Sequence, residues 1–239
     1  MLNKKNLLFL LLTSILLVNI PLTSCQKDQE SPVTTSIQEV PGAEAIYLHE
    51  EYEMGVGGYM YVVYNPYLVF KDGSIYKNLA TNIDKLHIEQ SRQQEAEEWG
   101  TWQKKGKDIV IAWKDGDQDT WEEESWFIAN PASGGETIKG DYHSISGGGN
   151  IAFGGSMMTF SSTNISFNGN KFTFESTGGG SSDAVSSYAS QTKAGTYELN
   201  GYSITLRFNN GVVEKKFFYF YPDSKDVFGI GTRYYVPND

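Results

Sequence analysis

The chain has 239 residues, 39% of them hydrophobic and 14% aromatic, with a formal charge of −10 and a single cysteine. That composition excludes wholesale disorder, and a lone cysteine excludes a disulfide scaffold or a thiolate zinc site. The acid excess argues against nucleic acid as a partner, because phosphate neutralisation needs clustered Lys and Arg. At the amino terminus Met1–Asn6 carries Lys4 and Lys5, and Leu7–Ile20 is a 14-residue apolar run. A basic n-region before an apolar stretch shorter than a membrane span of about 20 residues predicts an export signal over 1–24. Its removal would leave 215 residues with a charge of −12, enough chain for one large domain or two small ones.

Leu22-Thr23-Ser24-Cys25 follows the apolar run. It resembles the bacterial lipobox, in which small residues precede a cysteine that is diacylated and becomes the new N-terminus. The resemblance implies lipidation at Cys25, with a membrane as partner through that lipid. Each buried methylene of an acyl chain contributes about 0.8 kcal/mol, and more than one chain anchors stably. Gln26-Lys27-Asp28-Gln29-Glu30 is similar to the short charged tract of surface lipoproteins of the Bacteroidota type. Together these resemblances imply Sec export and a lipid-anchored place on the outer membrane or cell surface. Residues 25–45 are polar, contain Pro32 and Pro41, and read as a flexible tether.

The body of the chain repeats itself. Gly100-Thr101-Trp102, Gly106, Ile109, Ile111, Trp113 and Asp115-Gly116 recur 95 residues later as Gly195-Thr196-Tyr197, Gly201, Ile204, Leu206, Phe208 and Asn210-Gly211. Upstream, Gly57-Gly58, Met60, Leu68 and Phe70 match Gly154-Gly155, Met157, Ile165 and Phe167 at an offset of 97, and Gly73 matches Gly169 at 96. Two tandem homologous units are expected, over 46–130 and 137–239, either closing one shared barrel or standing as two.

Each unit reads as antiparallel strands. Ile204, Leu206 and Phe208 alternate with Ser203, Thr205 and Arg207, giving one dry and one wet face. Val110 and Ala112 replace the polar partners in the first copy and predict a strand covered on both sides. Asp72-Gly73, Asp115-Gly116, Asn168-Gly169 and Asn210-Gly211 are hairpin signals, since Asx-Gly accepts the positive φ of a type I′ turn. Asn82–Glu98 predicts a short surface helix, whereas Gly178–Gln191 and Ser146–Asn150 read as flexible loops or turns. The fold class is therefore an all-β antiparallel meander or barrel, with one short helix. The Gly-Thr-aromatic, Gly, alternating-apolar, Asx-Gly pattern resembles bacterial lipocalin-like lipoprotein domains, which implies a ligand-holding barrel. The stretch from Ser146 to Phe220 is also similar to an uncharacterised family of secreted bacterial proteins, which implies no activity.

Nothing in the chain spells catalysis. There is no Gly-x-Ser-x-Gly elbow, and His49, His87 and His143 lack the spacing of a helical zinc site. Asp115, Asp117 and Asp119 alternate ahead of Glu122-Glu123-Glu124, an oxygen density suited to Ca²⁺, but the sixth and twelfth positions of a calcium loop are Thr120 and Trp126. All five tryptophans lie between Trp99 and Trp126. Trp102 and Trp113 align with Tyr197 and Phe208 and read as core. Trp99 and Trp121 align with Ala194 and Lys216, so they are peculiar to one copy; Trp126, aligned with Tyr221, fits either role. These three make the candidate ligand surface, because indole faces suit sugars, apolar molecules and binding hot spots. The function expected is a non-catalytic module binding a small apolar ligand, a glycan or an envelope protein. The alternatives are a structural envelope or assembly lipoprotein without a pocket, and a carboxylate-dependent glycan hydrolase.

Overall fold

The computed structural model describes residues 40–54, 60–149, 158–181 and 186–238. The expected export signal, Cys25, residues 26–39 of the tether, Gly57-Gly58, Gly154-Gly155 and Met157 lie outside them. The last residues of the expected flexible tether are instead ordered: Val40 and Ala43 are buried, and strand begins at Ala43. Of the described residues 67% are in strands and 7% are helical, in two barrel-like antiparallel sheets. The first sheet contains β1 (Ala43–Met54), β2 (Met60–Phe70), β3 (Ser74–Tyr76), β4 (Trp99–Lys105), β5 (Asp108–Trp113), β6 (Gln118–Trp121) and β7 (Trp126–Ile128). Its order is β6-β5-β4-β3-β2-β1-β7, a meander whose last strand returns beside the first. The second unit contains β8 (Gly140–Gly149), β9 (Met158–Asn168), β10 (Lys171–Ser181), β11 (Ser186–Asn200), β12 (Ser203–Phe208), β13 (Val213–Tyr221), β14 (Ser224–Ile230) and β15 (Arg233–Pro237). These eight close into a barrel, each strand beside its chain neighbour. The two units thus keep separate sheets and do not share one barrel.

Strand pairing runs in matching register in the two units. Gly100 faces Trp113 and Trp102 faces Ile111, as Gly195 faces Phe208 and Tyr197 faces Leu206. Ile109 opposite Trp121 repeats as Ile204 opposite Lys216. The motif glycines have a packing reason. A Cβ on Gly100 would lie 2.8 Å from the Trp113 ring, and one on Gly195 would lie 2.0 Å from the Arg207 carbonyl oxygen.

The upstream sequence match needs correction. Val69 faces Ile75 while Phe167 faces Phe172, so Phe167 stands in the place of Val69, not of Phe70. Leu68 and Phe70 belong to a core shared between the units, whereas Ile165 and Phe167 fill the second barrel. Because strand side chains alternate, a one-residue difference in the connecting turn reverses the face. The second of these turns also centres on Gly169 and Asn170, between paired Asn168 and Lys171, rather than on Asn168-Gly169. Gly73, Gly116, Gly169 and Gly211 do adopt positive φ, at 82°, 103°, 61° and 87°.

Three apolar clusters hold these elements. One lies inside the first sheet and includes Ala45, Val69, Ile75, Ile109, Ile111 and Trp121. A second fills the barrel, where Phe167, Phe218 and Phe228 leave 3% exposure or less. The third joins the outer face of the first sheet to the outside of the barrel, packing Ile46, Leu48, Leu68 and Phe70 with Tyr202, Phe217 and Tyr219. Backbone bridges Asn130–Phe220 and Ala132–Gly201 reinforce this contact. The stretches covered on both faces therefore include Ala45–Leu48 of β1, Pro66–Phe70 of β2, all of β3 and Phe217–Phe220 of β13. β5 is not among them, contrary to expectation: it borders the edge strand β6 and leaves Ala112 exposed.

The predicted helix is α1 (Ile88–Gln94), flanked by 3-10 turns at Ile83–Lys85 and Ala96–Glu98. Two expected loops are strand over their described residues, with 150 and 182–185 lying outside these. Gly178–Ser181 pairs with Ser186–Ala189, and Ser146–Gly149 pairs with Met158–Ser161. The glycines there admit close neighbours, since a Cβ on Gly179 would lie 2.5 Å from the Ser187 carbonyl oxygen.

Candidate functional site

The two units differ at one place in the meander. In the barrel, β14 lies between β13 and β15. In the first sheet β6 is only four residues long, and residues 122–125 lead directly into β7, which pairs with β1. Among the described residues the outer edges of β6 and β7 therefore have no strand partner, and Glu50 N–H donates to the Ser125 carbonyl at 2.7 Å, extending the pairing of β1 with β7. Next to the β6 edge is a cleft of about 380 Å³, lined by inward residues of β1 and β2 (His49, Glu51, Tyr67), by Lys77 after β3, by Trp113, and by Asp115, Asp117 and Asp119–Trp121.

Its floor is aromatic and tightly built. Trp121 is 1% exposed. The His49 ring stacks on it at 4.4 Å and 12°, and Tyr67 packs at 4.7 Å. Trp113 is 7% exposed, and the Lys77 ammonium sits 4.8 Å from its ring centroid. The indole faces are thus already covered by the protein's own rings and by one of its own cations.

Carboxylates make up the rim. Glu51 accepts from the Tyr67 hydroxyl at 2.6 Å and from Asn65 Nδ2 at 2.7 Å, and lies 3.3 Å from His49 Nδ1. The His49 contact, assisted by Tyr67 and Asn65, holds the Glu51 carboxyl below its ordinary pKa against the opposing effect of burial. Burial, the bond to Glu51 and the charge of Asp119 push the Tyr67 phenol far above its usual value, so it remains a donor. Asp119 Oδ2 accepts from Trp113 Nε1 at 2.6 Å. Asp115 accepts from the Asp117 backbone N–H at 3.0 Å, which shapes the turn after β5.

The expected site residues fall into different places. Asp115, Asp117, Asp119 and Trp121 all line the cleft. Trp121 contributes as a buried floor and not as an open stacking face, which corrects the expectation for it. Trp99 belongs to the core: it packs on Phe70 and Tyr76, and its Nε1 donates to Ser91 Oγ of α1 at 2.9 Å. A tryptophan present in one copy only is explained here by the helix packed on it in that copy. Trp126 is half-buried, stacked on Tyr47 at 5.2 Å, and donates to the Lys107 carbonyl. It pairs with β1 through β7, as β15 pairs with β8, so its alignment with Tyr221 does not hold. Among the described residues no group of three or more His, Cys, Asp or Glu side chains is disposed to hold a metal ion.

The sequence gives no signal for Glu51, Tyr67 and Lys77, and leaves His49 as a lone histidine without metal-site spacing. The period-two pattern of β1 and β2 does put His49, Glu51 and Tyr67 on the inner face, yet nothing in the pattern brings them beside the distant segment from Trp113 to Trp121. Compared with family models, curated proteins and solved structures, the chain finds no match in any of the three.

Proposed function

We propose that this protein is a non-catalytic binding module of the cell envelope, held to a membrane through lipid on Cys25, and that the first unit takes a ligand bearing an amino or guanidino group. The lipobox-like Leu22–Cys25 and the apolar run before it support the anchored location. Charge supports the ligand class. Glu51, Asp115, Asp117 and Asp119 line one concave site against a single lysine, Lys77. With the indole faces occupied, a sugar would lack an open ring to stack on, whereas a cation would meet four carboxylates. The ammonium of Lys77 over Trp113 already illustrates the interaction such a ligand would make. An apolar ligand is a poor fit to a carboxylate rim, and the aromatic filling of the barrel offers it no better lodging.

Titrating the full-length chain with benzylamine and with its neutral counterpart benzyl alcohol tests this directly, because Trp113 and Trp121 report on the cleft by fluorescence. A saturable change with the amine alone, weakened about tenfold by Asp119→Asn, is expected from the loss of one charge-assisted contact. Equal responses to amine and alcohol, or no saturable response to the amine, would refute it. The anchor is tested separately: Cys25→Ser should abolish incorporation of labelled palmitate, and continued labelling would exclude Cys25 as the site.

A further inference from the structure

The duplication places a second concavity at the corresponding position of the barrel, and its chemistry is reversed. Strand register makes the correspondence explicit. Ile111 faces Asp119 and Ile109 faces Trp121 in the first unit; Leu206 faces Glu214 and Ile204 faces Lys216 in the second. Trp113 likewise corresponds to Phe208. The second hollow, of about 230 Å³, is lined by Glu214, Lys216 and Phe208 together with Lys193 and Arg233. Four carboxylates against one lysine in the first site become one carboxylate against two lysines and an arginine in the second. In a chain of net charge −10, such a local cation excess runs against the composition.

From this reversal we propose that the barrel mouth is a second ligand site, which takes a small organic anion: a carboxylate or sulfonate on a short apolar body. The floor supplies the apolar half, since Ile165, Leu206 and Ile230 are all at most 9% exposed. The barrel below is packed with aromatic rings, so the ligand sits in the mouth and does not thread the lumen.

The cations are held in place before any ligand arrives. Lys216 Nζ donates to Asn82 Oδ1 of the first unit at 2.7 Å and lies 3.4 Å from Glu214. Arg233 donates to Thr163 and Ser161 of β9 at 3.1 and 3.0 Å. Lys193 lies 5.4 Å from the Phe208 ring centroid. Only part of the donor capacity of Lys216 and Arg233 is used by these contacts, because an ammonium carries three N–H groups and a guanidinium five. Both heads are half-buried, where a charge-assisted hydrogen bond is screened less than on open surface. Cations already oriented over an apolar floor lose little freedom on binding.

Calorimetric titration of the full-length chain with naphthoate, naphthamide and naphthylmethylamine tests the site. Naphthoate should bind one to one, the isosteric amide at least about tenfold more weakly, and the amine not at this site. Lys216→Met and Lys193→Met should each weaken naphthoate by about tenfold while leaving the melting transition cooperative. Two cations are tested so that a folding defect in one variant does not decide the matter. All five tryptophans lie between Trp99 and Trp126, so naphthoate binding here should leave benzylamine-sensitive tryptophan emission unchanged. Equal affinity for acid and amide, or indifference to both substitutions, would overturn the proposal. Competition between naphthoate and benzylamine would place the anion in the first cleft and overturn it equally, whereas failure of benzylamine alone would leave this site standing.

Discussion

The two units share strand register and differ in closure. The barrel has eight strands and an aromatic filling, whereas the first sheet lacks a strand between β6 and β7 and carries tryptophans and carboxylates beside that gap. Pairing is set by backbone geometry and by motif glycines, so it survives duplication; the residues lining a mouth are under no such constraint and have diverged in charge. Trp121 and Lys216 make the point most economically. They occupy the same position in the meander, yet one is a buried floor and the other a cationic rim.

The largest effect should come from the aromatic anchors. Trp121→Ala removes a ring that is 1% exposed, and Phe228→Ala removes one that is fully buried. Each should cost about 3–5 kcal/mol by denaturant unfolding. If Trp121→Ala left the midpoint unchanged, its ring would have to be exposed and the floor of the cleft redrawn.

Next come the paired glycines. Gly195→Ala would drive a Cβ to 2.0 Å from a backbone oxygen, while Gly100→Ala would meet chiefly the Trp113 ring at 2.8 Å and the Ala112 oxygen at 2.9 Å. Overpacking of this kind costs about 1–3 kcal/mol, and the second unit should suffer more because its obstacle is closer and is main chain. The reverse ranking in melting temperature would contradict the close packing assigned to Gly195.

The smallest effect concerns acid sensitivity and separates the units at equivalent turns. Asp72 accepts from Ser74 N–H and Oγ and from Arg92, and chiefly the Ser74 hydroxyl bond lowers its pKa to about 2 from 3.8. A carboxyl whose folded pKa is depressed stabilises the fold above its unfolded pKa and loses that contribution as pH falls toward the folded value. Since Asp72 is more than half exposed, the contribution is about 1 kcal/mol or less, lost between about pH 4 and pH 2. Asp72→Asn should flatten that part of the stability curve. The matching turn in the barrel, Asn168–Lys171, has no carboxylate, so Asn168→Ala should leave the slope as it is. An acid slope unaffected by Asp72→Asn would assign it elsewhere.

Much of the fold was legible in the sequence because strand alternation and Asx-Gly turns are local signals. The meander from Gly100 to Gly116 and its copy 95 residues later needed nothing beyond them. The upstream match went wrong by one residue because turn length, which sets the face, leaves no trace in matching apolar residue types. The glycine-rich stretches read as loops because composition does not reveal that a neighbouring backbone comes within 2.5 Å of where a Cβ would stand at Gly179. At the site, alternating aspartates were visible, but Glu51 and Tyr67 reach them only through curvature of the sheet, a long-range property. Trp99 misled because its presence in one copy reflects the helix above it, where Ser91 receives its N–H.

The central claim is that two mouths of one duplicated fold have opposite ligand charge. The most direct measurement is simultaneous titration of the full-length chain with benzylamine and naphthoate, following tryptophan emission and heat together. Two independent one-to-one sites are expected, the amine weakened about tenfold by Asp119→Asn and the acid by Lys216→Met, with neither ligand displacing the other. Mutual displacement, or loss of both ligands from a single substitution, would contradict it.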